Sequence, residues 1–132
     1  MSYLLDTDIC SAYLRGERRV HNRFLQHISR LHVSVLSVSE LCAWVYLADD
    51  PMRREEGLAA MLSDVTVLGV DDDVARRCGR LRAALRREGI HVPTLDLLLG
   101  STALVRDFTM VTHNQRHFRL IPGLRIEDWL EP

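Results

Sequence analysis

The sequence predicts a three-layer α/β domain: a mostly parallel central sheet with helices on both faces. Short, β-rich apolar runs alternate with longer stretches of helical periodicity, the pattern of a parallel sheet covered on both sides. The 132 residues, 47% hydrophobic and 27% charged, suffice for one core and are too short for two. Residues 1–132 therefore read as a single domain, with no repeat, low-complexity stretch or linker.

Tyr3-Leu4-Leu5 reads as the first strand, ending at Asp6. A helix follows from about Ile9, and another carries Val20, Phe24, Leu25 and Ile28. Leu31 to Val35 is β-rich and forms the second strand. Ser37-Val38-Ser39-Glu40 matches a capping box, so a helix is expected to start there and carry Leu41, Trp44, Val45 and Leu47. Asp49-Asp50-Pro51 ends it, and Pro51 suits the first turn of the next helix. Val65 to Leu68 is the third strand, and Asp71 to Glu88 a long helix with Val74, Cys78, Leu81 and Leu85 as its core stripe. Arg76, Arg80 and Arg87 fall on the opposite, solvated side. Pro93-Thr94 opens a helix to about Arg106. Phe108 to Thr112 makes a fourth strand, and Arg125-Ile126 a short fifth.

Seventeen basic residues oppose eighteen acidic ones, a formal net charge of -1. A histone-like polycation is excluded, and any nucleic-acid contact must come from local clustering. Every basic residue is arginine, which excludes Walker A loops and Schiff-base chemistry. No apolar run approaches the ~20 residues of a membrane helix. The opening residues lack the basic region of a signal peptide. Cys10, Cys42 and Cys78 are odd in number and lie among apolar neighbours, as small core residues in a reducing compartment do. The expectation is a soluble, cytoplasmic protein.

In open parallel sheets the active crevice lies beyond the carboxyl ends of the strands, where the strand order reverses. Three carboxylates fall at such places. Asp6 follows the first strand, where a turn or helix cap is an equally good reading. Glu40 occupies the third position of the capping box, which alone favours a structural role, yet its helix start follows the second strand. Asp96 is the only charge between Pro93 and Arg106, among Leu95, Leu97, Leu98 and Leu99. Burying a lone carboxylate is costly, and a cation compensates it more fully than a helix terminus does. Gly100 and Ser101, one turn on, let that helix pack closely. Converging carboxylates suit Mg²⁺ or Mn²⁺, which favour hard oxygen ligands. Such a cation activates water and stabilises in-line displacement at a phosphodiester.

Leu4-Leu5-Asp6-Thr7-Asp8-Ile9-Cys10 resembles the opening of PIN-domain ribonucleases, specifically the VapC-type toxins of toxin–antitoxin pairs. Ser37-Val38-Ser39-Glu40-Leu41 is similar to that family's second motif, and Thr94 to Ser101 to its third. Val111 to Phe118, running into Ile121 to Arg125, is similar to its C-terminal stretch. The blocks occur in the family's order over nearly the whole chain. The resemblance implies a PIN fold, with Asp6, Glu40 and Asp96 as the acidic metal-site residues. It also implies metal-dependent cleavage of RNA, often a tRNA or a ribosomal RNA loop. A VapB-type antitoxin as partner, homodimerisation and contact with DNA only through the antitoxin are further implications.

Many relatives carry an acid before the last motif's Phe, where this chain has His117. A second cation is therefore disfavoured, and His117 could instead touch a phosphate or the leaving group. Asn114 could orient a water or make an Asx turn. Thr7 and Asp8 are candidate supports of the metal ligands. Arg15, Arg116 and Arg119 near the crevice are candidates for RNA phosphates. His21, His27, His32, His91 and His113 show no metal-ligand spacing. Trp44 and Trp129 could lie in the core or in a dimer interface. Two other readings stay open. One is a PIN-like module that binds RNA or protein without cleaving. The other is a haloacid-dehalogenase-like phosphatase, suggested by Asp6-Thr7-Asp8 but lacking the downstream lysine.

Overall fold

Tyr3–Leu5, buried at every position, forms the central strand β1 of the computed structural model, which describes residues 1–132. Burial on both faces demands apolar side chains at each register position, which explains the unbroken Tyr-Leu-Leu run. Tyr3 and Leu5 enter one core, while Leu4 enters the other. Around β1 stand β2 (Leu31–Ser34), β3 (Thr66–Leu68), β4 (Thr109–Val111) and β5 (Ile126–Glu127), in the order β3-β2-β1-β4-β5. All pairings are parallel, with Tyr3 opposite both Leu31 and Thr109.

The first core joins the sheet to α1 (Thr7–Leu14), α2 (Arg18–Gln26), α3 (Val35–Tyr46) and α4 (Pro51–Ser63) through Ile9, Phe24, Leu41, Val45 and Leu58. The opposite core joins it to α5 (Asp72–Arg87) and α6 (Thr94–Arg106) through Cys78, Leu85, Leu97, Met110, Phe118 and Ile121. The three expected layers are present. From β1 the chain builds outward to β3, then crosses to lay β4 on β1's other side. The order reverses between β1 and β4, so the carboxyl ends of these two strands define the crevice.

Most elements stand where periodicity placed them, including Pro51 in the first turn of α4 and Asp71 capping α5 by accepting from the Val74 amide at 2.9 Å. Three boundaries are corrected. The helix α3 starts at Val35, not Ser37, because Ser34 ends β2 and its hydroxyl accepts the Leu36 amide at 3.1 Å. Ser37 faces the core with its hydroxyl unpartnered, and Glu40 stands exposed on the second turn, too far along to close a capping box. Similarly, α1 starts at Thr7 rather than Ile9, and β5 is shifted one residue to Ile126–Glu127. Two 3-10 turns, Ile28–Arg30 and Phe118–Leu120, lay outside the sequence reading. Gly100 is needed for close approach: a Cβ there would lie 2.5 Å from Ile121 Cδ1.

Of the two tryptophans, Trp129 is buried in the first core beside Tyr3, and Trp44 is half-buried beneath the Arg54 guanidinium. Cys10 and Cys78 are buried and Cys42 half-buried, all as free thiols.

Candidate active site

At the switch point lies an open cleft of about 300 Å³ lined by Asp6, Thr7, Asp8, Glu40, Leu95, Asp96 and Asn114. Each acid arrives by a different route. Asp6 leaves the end of β1 and caps α1, its Oδ1 accepting the Thr7 amide at 2.8 Å. Its Oδ2 accepts the Thr112 hydroxyl at 2.9 Å, across from the end of β4. Glu40 projects from α3 and accepts the Thr7 hydroxyl at 2.6 Å. Asp96 sits in the first turn of α6, with Oδ2 2.7 Å from His117 Nδ1. Asp8 gathers the turn after β4, its Oδ2 accepting the His113 and Asn114 amides at 3.0 and 2.9 Å.

The electrostatics are one-sided. No arginine pairs with any of the four acids, and the one side-chain nitrogen that meets them is His117 Nδ1 against Asp96. Burial pushes the Asp6 carboxyl up to about 7, with the charges of Asp8 and Asp96 adding to the rise against its two hydrogen bonds. Asp8 Oδ1 is buried without a partner. Carboxylates that line one cleft with no arginine paired to them suit a hard divalent cation, so the donor set fits Mg²⁺ or Mn²⁺. The nitrogen of His117 is already engaged with Asp96, in the manner of an outer partner that orients a ligating group.

The structure thus brings Asp6, Glu40 and Asp96 to one cleft, with Thr7, Asp8 and Asn114 in its wall. His117 sets its Nδ1 2.7 Å from Asp96 Oδ2 and does not itself line the acid cleft. Arg116 and Arg119 line an adjoining cleft. Arg15 caps the opposite end of α1, about 13 Å along the helix axis from Asp6, and so is not beside the crevice. Thr112 was missed by the sequence reading. Its signal was the last position of the fourth strand, which a β1–β4 pairing sets against Asp6. His113 donates its backbone amide inward, while its ring meets Asp128 at 2.8 Å on the outer surface, with Glu131 nearby. That carboxylate raises the His113 pKa.

A PIN-domain family model matches residues 3–124. The chain is 33% identical over 133 residues to the tRNA(fMet)-specific endonuclease VapC of Salmonella typhimurium, spanning 98% of each chain. It is 32% identical over 122 residues to Ribonuclease VapC19 of Mycobacterium tuberculosis, spanning 92% of this chain and 96% of that one. DNA-bound VapBC from Salmonella typhimurium superposes with a TM-score of 0.91 at 32% identity over 98% of each chain. VapBC2 from Rickettsia felis, bound to a DNA fragment of its promoter, does so at 0.90 with 26% identity, over 98% of this chain and 99% of that one. The cleft therefore belongs to a PIN-domain nuclease. Within that family the chain belongs to the VapC-type ribonucleases, which sets aside the haloacid-dehalogenase reading.

Proposed function

We propose that this chain is the toxin of a toxin–antitoxin pair, an endoribonuclease that hydrolyses RNA with Mg²⁺ or Mn²⁺ held by Asp6, Glu40 and Asp96. The observation that carries the reading is the cleft itself, where four carboxylates from three distant segments meet with no arginine paired to them. When bound, the cation would polarise the scissile phosphate and lower the pKa of a water. Asp6, held at both oxygens by Thr7 and Thr112, is fixed to ligate the cation. Asp96 is oriented for the same task by His117. Glu40 commits one oxygen to Thr7 and leaves the other to ligate the cation or orient the attacking water. Asp8 holds the 113–114 backbone, which sets the Asn114 amide in the wall to orient that water.

Two relatives named tRNA(fMet)-specific endonuclease, 33 and 32% identical, make initiator tRNA the first substrate to test. The solved VapBC complexes support a VapB-type antitoxin as partner, with DNA reached only through it. A cytoplasmic homodimer completes the reading; no helix is long and apolar enough to cross a membrane. The test is cleavage of total cellular RNA and initiator tRNA by purified protein in Mn²⁺, Mg²⁺ or EDTA, beside Asp96→Asn. Cleavage that needs both the metal and Asp96 is expected. Full turnover by the variant, or in EDTA, refutes the assignment.

A further inference from the structure

We propose that the cleft carrying Arg116 and Arg119 grips the RNA backbone flanking the scissile bond; this rests on the ribonuclease reading above. The acid cleft poses a problem for its own substrate. Four carboxylates repel a polyanion, and one bound dication offsets only part of their charge. Positive charge must therefore stand close by, on a surface continuous with the cleft.

One surface meets that condition. The open cleft of about 660 Å³ lined by His113, Asn114, Gln115, Arg116, Arg119 and Leu120 shares Asn114 with the acid cleft. The other arginine-bearing hollows share no residue with it. In one of these, Arg54 is spent on the Trp44 ring and carbonyl, and in another, Arg19 donates to the Leu130 carbonyl.

The two guanidiniums are also free to bind an anion. Arg76, Arg106 and Arg125 are neutralised by Asp72, Asp71 and Asp107, whereas Arg116 and Arg119 meet no carboxylate. Arg119 Nε donates to Gln115 Oε1 at 3.1 Å, a neutral amide that orients the guanidinium and leaves its charge intact. The segment is held firmly from beneath. Phe118 is buried in the core, His117 engages Asp96, and the Arg119 amide bonds the Gln115 carbonyl at 3.0 Å. Arg116 and Arg119 thus lie three residues apart around one tight turn, their spacing to the metal cluster fixed by the element that also orients Asp96.

Phosphate contacts are sequence-independent, so a labelled oligouridine of about 20 nucleotides serves as probe. Its binding to the Asp96→Asn protein is read by fluorescence anisotropy from 50 to 300 mM salt. Each phosphate contact on a single strand contributes about 0.7 to the slope of log K against log salt, so two contribute about 1.4. Arg116→Ala/Arg119→Ala should lower the slope by about 1.4 and weaken binding roughly 25-fold at 0.1 M salt. Arg116→Lys/Arg119→Lys should keep the slope, and Arg53→Ala should change nothing. On a cellular RNA that the wild type cuts, the double alanine variant should raise KM and leave kcat within about twofold.

An unchanged slope and affinity in the double alanine variant overturns the proposal, even if cleavage still depends on metal and Asp96. Absence of oligouridine binding by the parent protein overturns it too. Intact RNA binding with loss of affinity for an acidic peptide would assign the cleft to a protein partner instead. Failure of the ribonuclease reading shows separately, as no metal-dependent cleavage of any RNA.

Discussion

Replacing Asp6 by Asn should disable the metal site and stabilise the metal-free fold, and the second effect should grow with pH. The Asp6 carboxyl is raised from an ordinary value of 3.8 to about 7, first by burial and then by Asp8. Between those two pH values the folded chain binds the proton and the unfolded chain has lost it. Stability therefore falls as pH rises through this window, and the full cost is present above about pH 7. Three pKa units correspond to about 4 kcal/mol. Part of the carboxylate opens onto the cleft, so solvent screening trims this to about 2 kcal/mol. Asn keeps the local geometry, since its oxygen still accepts the Thr7 amide and its amide can donate to the Thr112 hydroxyl. In EDTA at pH 8 the Tm of Asp6→Asn should exceed wild type by roughly 6 °C, and the two should converge near pH 4. Calorimetric Mn²⁺ titration of wild type should show affinity rising about tenfold from pH 6 to pH 8, as a ligand titrating near 7 requires. The variant should bind no Mn²⁺ in the cleft. A variant less stable than wild type at pH 8, or a gap that does not widen with pH, refutes the reasoning.

Three further outcomes follow from contacts described above. His117→Ala should weaken Mn²⁺ binding about 10- to 100-fold, and His117→Asn, which can still donate to Asp96, should recover most of it; equal affinity in the alanine variant and wild type would remove His117 from the support of Asp96. Gly100→Ala should cost about 1–3 kcal/mol in urea unfolding because its Cβ meets Ile121 Cδ1, and Ile121→Val should relieve part of that; a net gain in stability would contradict the close approach. Ser37→Ala should stabilise the chain by about 1 kcal/mol by removing a buried, unpartnered hydroxyl from a helix, and a loss of stability in denaturant titrations would mean the hydroxyl has a partner.

Local signals located the elements better than they located their starts. The capping box at Ser37 failed because Ser34, three residues earlier, was already free to cap once β2 ended. Nothing within the segment ranks two serines when the end of the strand is itself uncertain. Glu40 reaches the cleft although the argument for its position did not hold, since the second turn of α3 still meets Thr7. Asp96 was legible because an isolated charge in an apolar helix has no cheap explanation. Thr112 and the Asp8 clamp were not, because each depends on β4 lying beside β1, a pairing between remote segments. Arg15 was misplaced for the opposite reason: close to Asp6 in sequence, it sits a helix length away in space.

The pairing of β1 with β4 also makes the cleft a late product of folding, since its walls come from remote segments. Asp6 and Thr112 are 106 positions apart, and Trp129 packs against Tyr3 in the first strand. A nascent chain that has emerged only through α5 carries Asp6 and Glu40 but neither Asp96 nor the strand that completes their setting. The cleft therefore forms only once β4 has docked against β1, and a truncation upstream of β4 removes part of its wall rather than trimming an edge.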